Sequence, residues 1–388
     1  MPRRVCLNMI VKNEAHVIRR CLDSVRPYIG AYLIVDTGST DGTQEIVRTH
    51  LADLPGAVIE RPWRDFGHNR SEALALARDL AESTLTIDAD EVFEAPKGFR
   101  WPALTADAYS LRHRVEPSGT EFDLIKLVRA ALPWRYVGVL HEVIACDAPQ
   151  RTETLRGPVV RGLFDSARNQ VDAATKYARD AAVLGAALKD EPDNARYVFY
   201  LAQSYRDAGD TDSALTTYAR RAQMGGWEEE VWYSLYQIGL LKEKAGRDTE
   251  EVMLALLEAY QYRPARAEAL VQLARVLREA GWPAAAYPFA SAAVKTPLPA
   301  DALFLDRSMY GWRAQDELAV AAYHAGHARE SLAVADQLVR RADLPTGERE
   351  RVAKNRQLAV AALGHAQAGA ATPAVELLSR KERRAQRH

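Results

Sequence analysis

The pattern of apolar residues changes near Ser166, and this change constrains the fold more than any other feature of the sequence. Before it, short apolar runs alternate with segments of helical spacing, for example Val5–Val11 followed by residues 14–25. Alternation of this kind indicates a mostly parallel sheet with helices on both faces. After Ser166, alanine- and leucine-rich helical segments are separated by glycine. We therefore expect an α/β domain followed by an all-α domain.

The first part contains the elements of an open, doubly wound sheet. Beyond Val5–Val11, further strands are predicted at residues 32–35, 57–60 and 85–87. Asp41 followed three residues later by Gln44 resembles a capping box, so a helix is expected to begin there. Another helix is expected over residues 71–81.

The next elements are expected to leave the parallel pattern. Residues 109–115 and 122–128 flank Pro-Ser-Gly-Thr at 117–120, which is typical of a hairpin. Residues 136–144 are predicted as one more strand, and this strand carries His141 and Glu142.

The second part repeats itself. Gly209, Gly246 and Gly281 follow one another at intervals close to the tetratricopeptide period of about 34 residues, in which glycine occupies the turn between two packed helices. Each helix pair leaves an apolar face that only the next pair can bury, which predicts a solenoid. We expect the α/β domain at residues 1–165, tetratricopeptide-like repeats at 166–370 and a frayed basic tail at 371–388.

Composition excludes several classes of protein. The net charge of −1 gives no indication of binding to nucleic acid or to an anionic membrane. Cys6, Cys21 and Cys146 form neither a disulfide framework nor a zinc-binding pattern, which fits a reducing compartment. No apolar stretch approaches the length of about 20 residues that spans a membrane. The cytoplasm is the expected location.

Acidic residues follow two of the predicted strands. Asp36 and Asp41 come after the second strand, and Asp88 and Asp90 after the fourth. Because ligands bind at the carboxyl ends of strands in open α/β sheets, both pairs are expected to face one crevice. Crowded carboxylates repel each other unless a cation neutralises them, and oxygen ligands suit Mg²⁺ or Mn²⁺. Such an ion could also neutralise a departing diphosphate.

Three motifs give the first domain a family resemblance. They are Leu-Asn-Met-Ile-Val-Lys-Asn-Glu at 7–14, Val-Asp-Thr-Gly-Ser-Thr-Asp-Gly-Thr at 35–43 and Asp-Ala-Asp-Glu at 88–91. In order and separation they resemble the family 2 glycosyltransferases over residues 5–145, in a branch with a tetratricopeptide-like tail. The resemblance implies a GT-A fold, which is a Rossmann-like sheet. It also implies inverting, metal-dependent transfer of a hexosyl group from a nucleoside diphosphate, with UDP favoured, to an acceptor.

The resemblance assigns nucleotide-binding roles to five residues. Asp36 corresponds to the strand-end aspartate that binds the nucleobase, and Asp41 to a second aspartate near the nucleotide. Arg70 corresponds to an arginine near the nucleotide, although serine follows it here where the family usually has asparagine. Asp88 is placed beside the nucleotide as well as at the metal. Asn13 either contacts the nucleotide or caps the following helix.

The metal ligands and the base complete the expected site. Asp88 and Asp90 match the family's DxD pair, and His141 resembles a late histidine that completes the metal site. A histidine beside carboxylates favours Mn²⁺ over Mg²⁺. Inverting transfer also needs a carboxylate that takes the acceptor's proton. The family's usual glutamate–aspartate pair is not evident, so Glu142 is the first candidate base and Glu91 the second.

Two classes of function remain open on this reasoning. The first is an active glycosyltransferase whose repeats bind a peptide or protein acceptor, or a second copy of the chain. The second is an interaction scaffold whose transferase-like domain binds a nucleotide sugar without turnover. Retention of Asp88 and Asp90 favours the enzyme. A nucleotidyltransferase would need a glycine- and lysine-rich phosphate loop near the N-terminus, and the sequence has none.

Overall fold

The computed structural model of the protein describes residues 4–116, 120–148 and 150–367. They form two compact units: the first runs to Pro192 and takes in Asp207–Gly209, and the second begins at Asp193. The first unit extends beyond residue 165, the expected end of the α/β domain, because it includes a helix at Ala173–Asp190. The turn at 117–119 and the tail at 371–388 lie outside the described residues.

The first unit is built around a mixed sheet. Its strands, with two that form a separate hairpin, are β1 (Val5–Val11), β2 (Ala31–Asp36), β3 (Gly56–Glu60), β4 (Ser83–Thr86), β5 (Glu91–Glu94), β6 (Ala108–Val115), β7 (Thr120–Arg129), β8 (Arg135–Val137), β9 (Val143–Ala145) and β10 (Thr152–Gly162). The order across the sheet is β3-β2-β1-β4-β7-β6-β10-β5. The first four strands are parallel, whereas β7 is antiparallel to β4 and to β6. The α/β fold class and the hairpin are thus confirmed.

Helices cover both faces of the parallel strands. They are α1 (Ile18–Val25), α2 (Thr43–His50) and α3 (Phe66–Ala77), with α4 (Ala173–Asp190) later in the unit. Leu7 of β1 packs with α1 and α2, and its neighbour Cys6 packs with α3 on the opposite face. Because successive strand residues point to opposite faces, β1 is apolar almost throughout. Its one buried amide, Asn8, donates to the Ala73 carbonyl oxygen and so ties α3 to the sheet.

The prediction of one strand over residues 136–144 is wrong. The segment is a hairpin in which β8 and β9 pair antiparallel, and His141 and Glu142 lie in its connecting turn. The backbone of Gly138 has a φ of 114° and that of His141 a φ of 53°. These left-handed values are incompatible with an extended strand.

The predicted capping box at Asp41 is also wrong. Helix α2 begins at Thr43, and its N-cap, Gly42, makes no side-chain capping bond. Gln44 does not reach back to the amide of Asp41. Its Nε2 donates instead to Asp36 Oδ1 and to the Ser39 carbonyl oxygen, because the loop before α2 folds over the end of β2.

Two strands have no counterpart in the sequence prediction. Strand β5 has only four residues and carries glutamate at both ends. Strand β10 contains Gly157 and Pro158, residue types that are depleted in strands, and its pairing with β6 shifts register between Thr154 and Val159. Neither segment has the apolar period that reveals a strand.

The second unit consists of packed helices. They are α5 (Ala195–Ala208), α6 (Thr211–Gln223), α7 (Glu228–Lys244), α8 (Thr249–Tyr262), α9 (Glu268–Glu279), α10 (Pro283–Lys295), α11 (Trp312–His324), α12 (Ala328–Arg340) and α13 (Thr346–Gln367). From α6 onward each helix packs against the next, as expected for a tetratricopeptide-like solenoid. Each helix among those described is too short or too polar to cross a membrane.

Glycine ends the first helix of each successive pair. Gly209, Gly246, Gly281 and Gly326 follow α5, α7, α9 and α11, and each has a φ between 71° and 88°. This left-handed conformation closes the helix and turns the chain into the second helix of the pair. The glycine spacing in the sequence therefore marks the turn inside each helix pair, once per repeat.

We predict that Gly281→Ala destabilises the second unit by about 1 kcal/mol. A Cβ at this position meets open space, so the cost comes from the φ of 87° alone. Gly364→Ala is the matched control, because Gly364 lies inside α13 with equal space and no positive φ. In urea unfolding, the free energy of unfolding should fall in Gly281→Ala and rise in Gly364→Ala. Equal stabilisation by both substitutions would contradict the prediction.

Candidate active site at the carboxyl edge of the sheet

The carboxyl ends of β1, β2 and β4 lie side by side. Val11 at the end of β1 pairs with Asp36 at the end of β2, and the Thr37 amide donates to the Val11 carbonyl oxygen over 2.9 Å. On the other side of β1, the Ile87 amide donates to the Asn8 carbonyl oxygen. The three sequence motifs therefore reach one edge of the sheet, as expected for an α/β crevice.

The carboxylate of Asp36 is fully buried, and only one of its two oxygens accepts hydrogen bonds from described residues. Its Oδ1 accepts hydrogen bonds from the amides of Gly38 and Ser39, over 2.9 and 2.8 Å, and from Gln44 Nε2 over 3.1 Å. Its Oδ2 is buried and accepts no hydrogen bond from any described residue. A buried acceptor without a donor is costly, so this oxygen is a candidate contact for a ligand N–H group.

Asp41 holds neighbouring loops together. Its Oδ2 accepts from the Ala15 amide over 2.9 Å, and its Oδ1 accepts from Thr43 Oγ1 over 2.6 Å. Partial burial raises the pKa of Asp41, but the bonds from Thr43 and Ala15 outweigh it and leave the pKa lowered. Both carboxylate oxygens are thus engaged by the protein, and the geometry favours loop support over contact with a nucleotide.

Asn13 makes a second connection between these loops. Its backbone N–H donates to Ser39 Oγ, and its side-chain Oδ1 accepts a hydrogen bond from the Thr40 backbone N–H, each over 2.8 Å. The φ of 59° that this requires is one that asparagine tolerates better than most residues. The N-cap of α1 is Val17, so Asn13 does not cap that helix. Its side-chain oxygen bonds to the loop after β2, where it supports the surroundings of Asp36.

Arg70 connects two of the predicted acidic residues. From α3, its Nη2 lies 2.7 Å from Asp88 Oδ1, and its Nε lies 2.7 Å from Glu142 Oε1. Burial lowers the pKa of Arg70, but the charges of Asp88 and Glu142 outweigh this and raise it. The structure thus brings the first DxD aspartate and the first candidate base to one guanidinium.

The negative charge of Asp90 is compensated far less than that of Asp88. It is partly buried and accepts one long hydrogen bond, 3.4 Å, from the Ser166 amide. Burial raises its pKa, and the negative charge of Asp88 raises it further. Among the described residues no cation forms an ion pair with it. Negative charge therefore accumulates where the resemblance places the metal.

Glu91 is paired with cationic and hydrogen-bonding partners inside the fold. Both of its oxygens lie 2.8 Å from Lys126 Nζ, and Oε1 lies 3.0 Å from His113 Nε2. Burial raises the pKa of Glu91, but Lys126 and His113 outweigh it and lower the pKa to about 2. Nothing in the sequence near Glu91 indicates these partners. The geometry favours a structural role over that of a proton acceptor.

Glu14 is a site residue to which sequence reasoning gave no role beyond its motif. It is buried, and its Oε2 accepts from the Ala167 amide over 3.2 Å. Burial raises its pKa to about 7, with smaller contributions from the negative charges of Asp90 and Asp41. Its position directly after Asn13 was visible in the sequence, but its burial was not.

The turn between β8 and β9 is held close to α3. A Cβ at Gly67 would lie 2.3 Å from the Gly138 carbonyl oxygen, so only glycine allows this approach. The turn places Glu142 at Arg70 and leaves His141 exposed. Within residues 4–116, 120–148 and 150–367, no three histidine, cysteine or acidic side chains are grouped so as to hold a metal ion. His141 is therefore not assembled with Asp88 and Asp90 into a three-residue metal site.

We predict that Glu14→Gln stabilises the metal-free protein at pH 8 and has little effect at pH 5. An acid whose pKa is raised by folding contributes stability below its unfolded pKa, and this contribution is lost as the pH rises through about 7. The neutral variant avoids that loss, which corresponds to roughly 2–3 kcal/mol. Urea unfolding in the presence of a chelator measures it. Glu82→Gln, at an exposed residue, is the control, and a pH-independent difference would contradict the prediction.

One stretch of the chain, which contains the three sequence motifs, matches a known family. The sequence model of Glycosyl transferase family 2 matches residues 6–97. An uncharacterized glycosyltransferase from Rickettsia prowazekii is 33% identical over 89 residues, which are 23% of this chain and 28% of that protein. A TPR repeat-containing protein from Synechococcus elongatus is 27% identical over 63% of this chain and 62% of its own length. The chain thus spans less than two thirds of either relative.

One solved structure aligns with both parts of the chain. The crystal structure of residues 1–349 of S. aureus TarS in complex with UDP-GlcNAc covers 67% of this chain and 92% of that chain, at 14% identity and a TM-score of 0.34. A similarity of this size carries no argument about function. The family match over residues 6–97 coincides with the strands that form the acidic edge. The N-terminal domain of this chain is therefore a family 2 glycosyltransferase domain, and tetratricopeptide-like helices follow it.

Proposed function

We propose that this protein is an inverting, metal-dependent glycosyltransferase that moves a sugar from a nucleoside diphosphate to an acceptor nucleophile. The observation that carries the proposal is the half-satisfied carboxylate of Asp36, fully buried at the edge where the family motifs meet. The protein saturates one oxygen of this carboxylate and leaves the other for a ligand donor. The family 2 domain supports glycosyl transfer as the reaction class.

The hydrogen bonding of Asp36 favours particular nucleobases. A uracil or thymine ring offers a single N–H donor, whereas guanine offers adjacent N–H and NH₂ donors that suit a carboxylate with both oxygens open. Asp36 Oδ1 already accepts from three protein donors, so only Oδ2 remains. A base with one donor matches one acceptor, and we therefore favour UDP and dTDP over GDP; the family resemblance places UDP before dTDP.

The acidic residues after β4 fit a divalent cation. Asp88 and Asp90 offer hard carboxylate oxygens, and the raised pKa of Asp90 reflects negative charge that a cation would relieve. We propose that these two residues hold Mn²⁺ or Mg²⁺, with His141 as a further ligand if its exposed turn moves inward. When bound, the ion neutralises charge on the leaving diphosphate. Arg70 fixes Asp88 through their ion pair, so that Asp88 keeps its orientation.

Glu142 remains the proposed base. It lies in the turn next to His141, and Arg70 holds its carboxylate in place 2.7 Å from the guanidinium. A base must be oriented toward the acceptor hydroxyl or other nucleophile before its proton affinity matters. Glu91 is less suited, because Lys126 and His113 enclose its carboxylate.

We further propose that the tetratricopeptide-like helices bind the acceptor, as a peptide or a protein, or pair two copies of the chain. Tyr233 of α7 lies beside Phe304, which belongs to the segment between α10 and α11, and their ring centroids are 4.7 Å apart. Phe304 is half-exposed, which leaves an apolar surface for contact. A scaffold that binds a nucleotide sugar without turnover remains the alternative.

We predict that UDP binds to the wild-type protein and that Asp36→Asn weakens binding about tenfold or more. The Asn oxygen can take the three donors that Oδ1 accepts, which leaves an NH₂ donor facing the N–H group of the base. Asp90→Asn should instead remove the enhancement of binding by Mn²⁺. Calorimetry with UDP, dTDP and GDP, with and without Mn²⁺, measures both effects.

The control for these variants is Asp79→Asn, at an exposed residue outside the crevice. It should bind UDP as the wild type does. If none of the three nucleotides bound to the wild-type protein, the glycosyltransferase proposal would fail and the scaffold would be favoured. Equal binding of all three would reject the specific role of Asp36.

We predict that Glu142→Gln lowers turnover by about 10²- to 10⁴-fold and leaves UDP affinity unchanged. The amide oxygen of glutamine can still face Arg70, so the geometry of the turn survives while the proton acceptor is lost. Release of UDP from UDP-sugars, in hydrolysis or transfer, measures turnover. Full activity in this variant would show that another group accepts the proton.

A further inference from the structure

The buried carboxylate of Glu91 has one contact that its ion pair does not explain. Besides Lys126 and His113, it accepts a hydrogen bond at Oε2 from the Asp88 amide over 2.9 Å. Glu91 in turn donates its own amide to the Asp88 carbonyl oxygen over 3.0 Å. Asp88 is therefore held at its backbone N–H and at its backbone C=O by one residue.

The partners of Glu91 come from the antiparallel half of the sheet. Lys126 lies on β7, which pairs with β4 through Leu85 and Leu127. His113 lies on β6, the next strand across. The side chains of Glu91, Lys126 and His113 are each at most 11% exposed. The turn after β4 is thus tied to two strands that carry none of the family motifs.

His113 has little freedom to move away from this arrangement. Its ring packs against the backbone of Gly162, where an added Cβ would lie 3.0 Å from Cε1 of the imidazole. The centroid of the His113 ring also lies 5.2 Å from that of Phe122. Close packing of this kind fixes the ring on the Glu91 carboxylate.

The ion pair between Lys126 and Glu91 also makes the charge of Glu91 different from that of Asp90. Lys126 balances Glu91 inside the fold, whereas Asp90 forms no ion pair with a described residue. Without Lys126, the charge of Glu91 would add to that of Asp88 and Asp90 within four residues of sequence. Breaking a buried pair leaves an uncompensated charge, so the carboxylate would tend to move toward solvent or a cation.

We propose that Lys126 and Glu91, supported by His113, are positioning residues that set the Asp88–Asp90 turn for binding of the donor diphosphate and its divalent cation. The inference rests on the proposed function. Glu91 does not touch the ligands and takes no proton. It holds the backbone of Asp88 so that the side chains of Asp88 and Asp90 face the crevice together. This assigns a role in the active site to two strands outside the family match.

The test uses the full-length protein and the variants Lys126→Met, Glu91→Gln and the two combined. Lys126→Met strands the charge of Glu91 and should loosen the turn. The combined variant removes both charges, and its glutamine oxygen can still accept from the Asp88 amide. Arg112→Met is the matched control, because Arg112 is a cation on β6 that pairs with Glu121 and Asp123 and does not contact the turn.

The first measurement is amide hydrogen exchange of the metal-free protein. We expect Lys126→Met to speed exchange of the Asp88 amide about tenfold or more, with the combined variant close to wild type and Arg112→Met unchanged. This arm requires no nucleotide, so it gives a result even if the proposed transferase activity fails. Unchanged exchange in Lys126→Met would overturn the positioning role.

The second measurement is calorimetry with UDP in the presence and absence of Mn²⁺. Lys126→Met should weaken Mn²⁺-dependent binding by about 10- to 100-fold and leave metal-free UDP binding, which depends on Asp36, at the wild-type level. Equal loss in both conditions would mean general damage to the fold and would overturn the proposal. If Lys126→Met does not fold, Lys126→Arg and the combined variant decide. We then expect Mn²⁺ to strengthen UDP binding in Lys126→Arg and in the combined variant. If Mn²⁺ failed to strengthen binding in Lys126→Arg alone, a role that depends on the charge pair would be rejected.

Discussion

The crowding of carboxylates at one edge of the sheet is the constraint around which the first unit is arranged. Burying a carboxylate is costly unless hydrogen bonds or a cation compensate it. The protein uses a different means for each group. Backbone and amide donors satisfy one oxygen of Asp36 and both oxygens of Asp41. Arg70 serves Asp88 and Glu142 together, and Lys126 serves Glu91. Among the described residues, no cation forms an ion pair with Asp90 or Glu14, and burial raises the pKa of both.

The parts of this site that could be predicted from sequence are those that follow from strand order. Asp36 and Asp88 each follow an apolar strand, and parallel strands end at a common edge, so their proximity could be inferred without coordinates. The glycines of the repeats were informative for a similar reason, because a left-handed turn requires them locally. In both cases a short stretch of sequence contains the physical cause.

The parts that could not be predicted depend on register between distant segments. Glu91 meets His113 and Lys126, which are 22 and 35 residues away, only because β4, β7 and β6 pair as they do. The sequence could rank Glu142 before Glu91 as a candidate base, but for this reason it could not show that Arg70 pairs with the first and Lys126 with the second. The wrong prediction of a strand at 136–144 has another cause. Here the sequence itself contained a signal, Gly138, that the apolar segment is interrupted. Its apolar residues outweighed that signal.

Comparison of the two units shows that incomplete compensation is not a general property of this chain. In the second unit, the buried carboxylates Glu230, Glu268 and Glu317 each pair with an arginine: Arg221, Arg266 and Arg278. Arg266 is itself fully buried and lies 3.8 Å above the ring of Trp232. Each of these three buried acids therefore has an arginine as its partner. Strongly perturbed acids concentrate at functional sites, because a group that waits for a ligand cannot be neutralised by the fold. On this reasoning, the incomplete compensation of Asp90 and Glu14 supports the proposal that a cation or a proton is taken up at this edge.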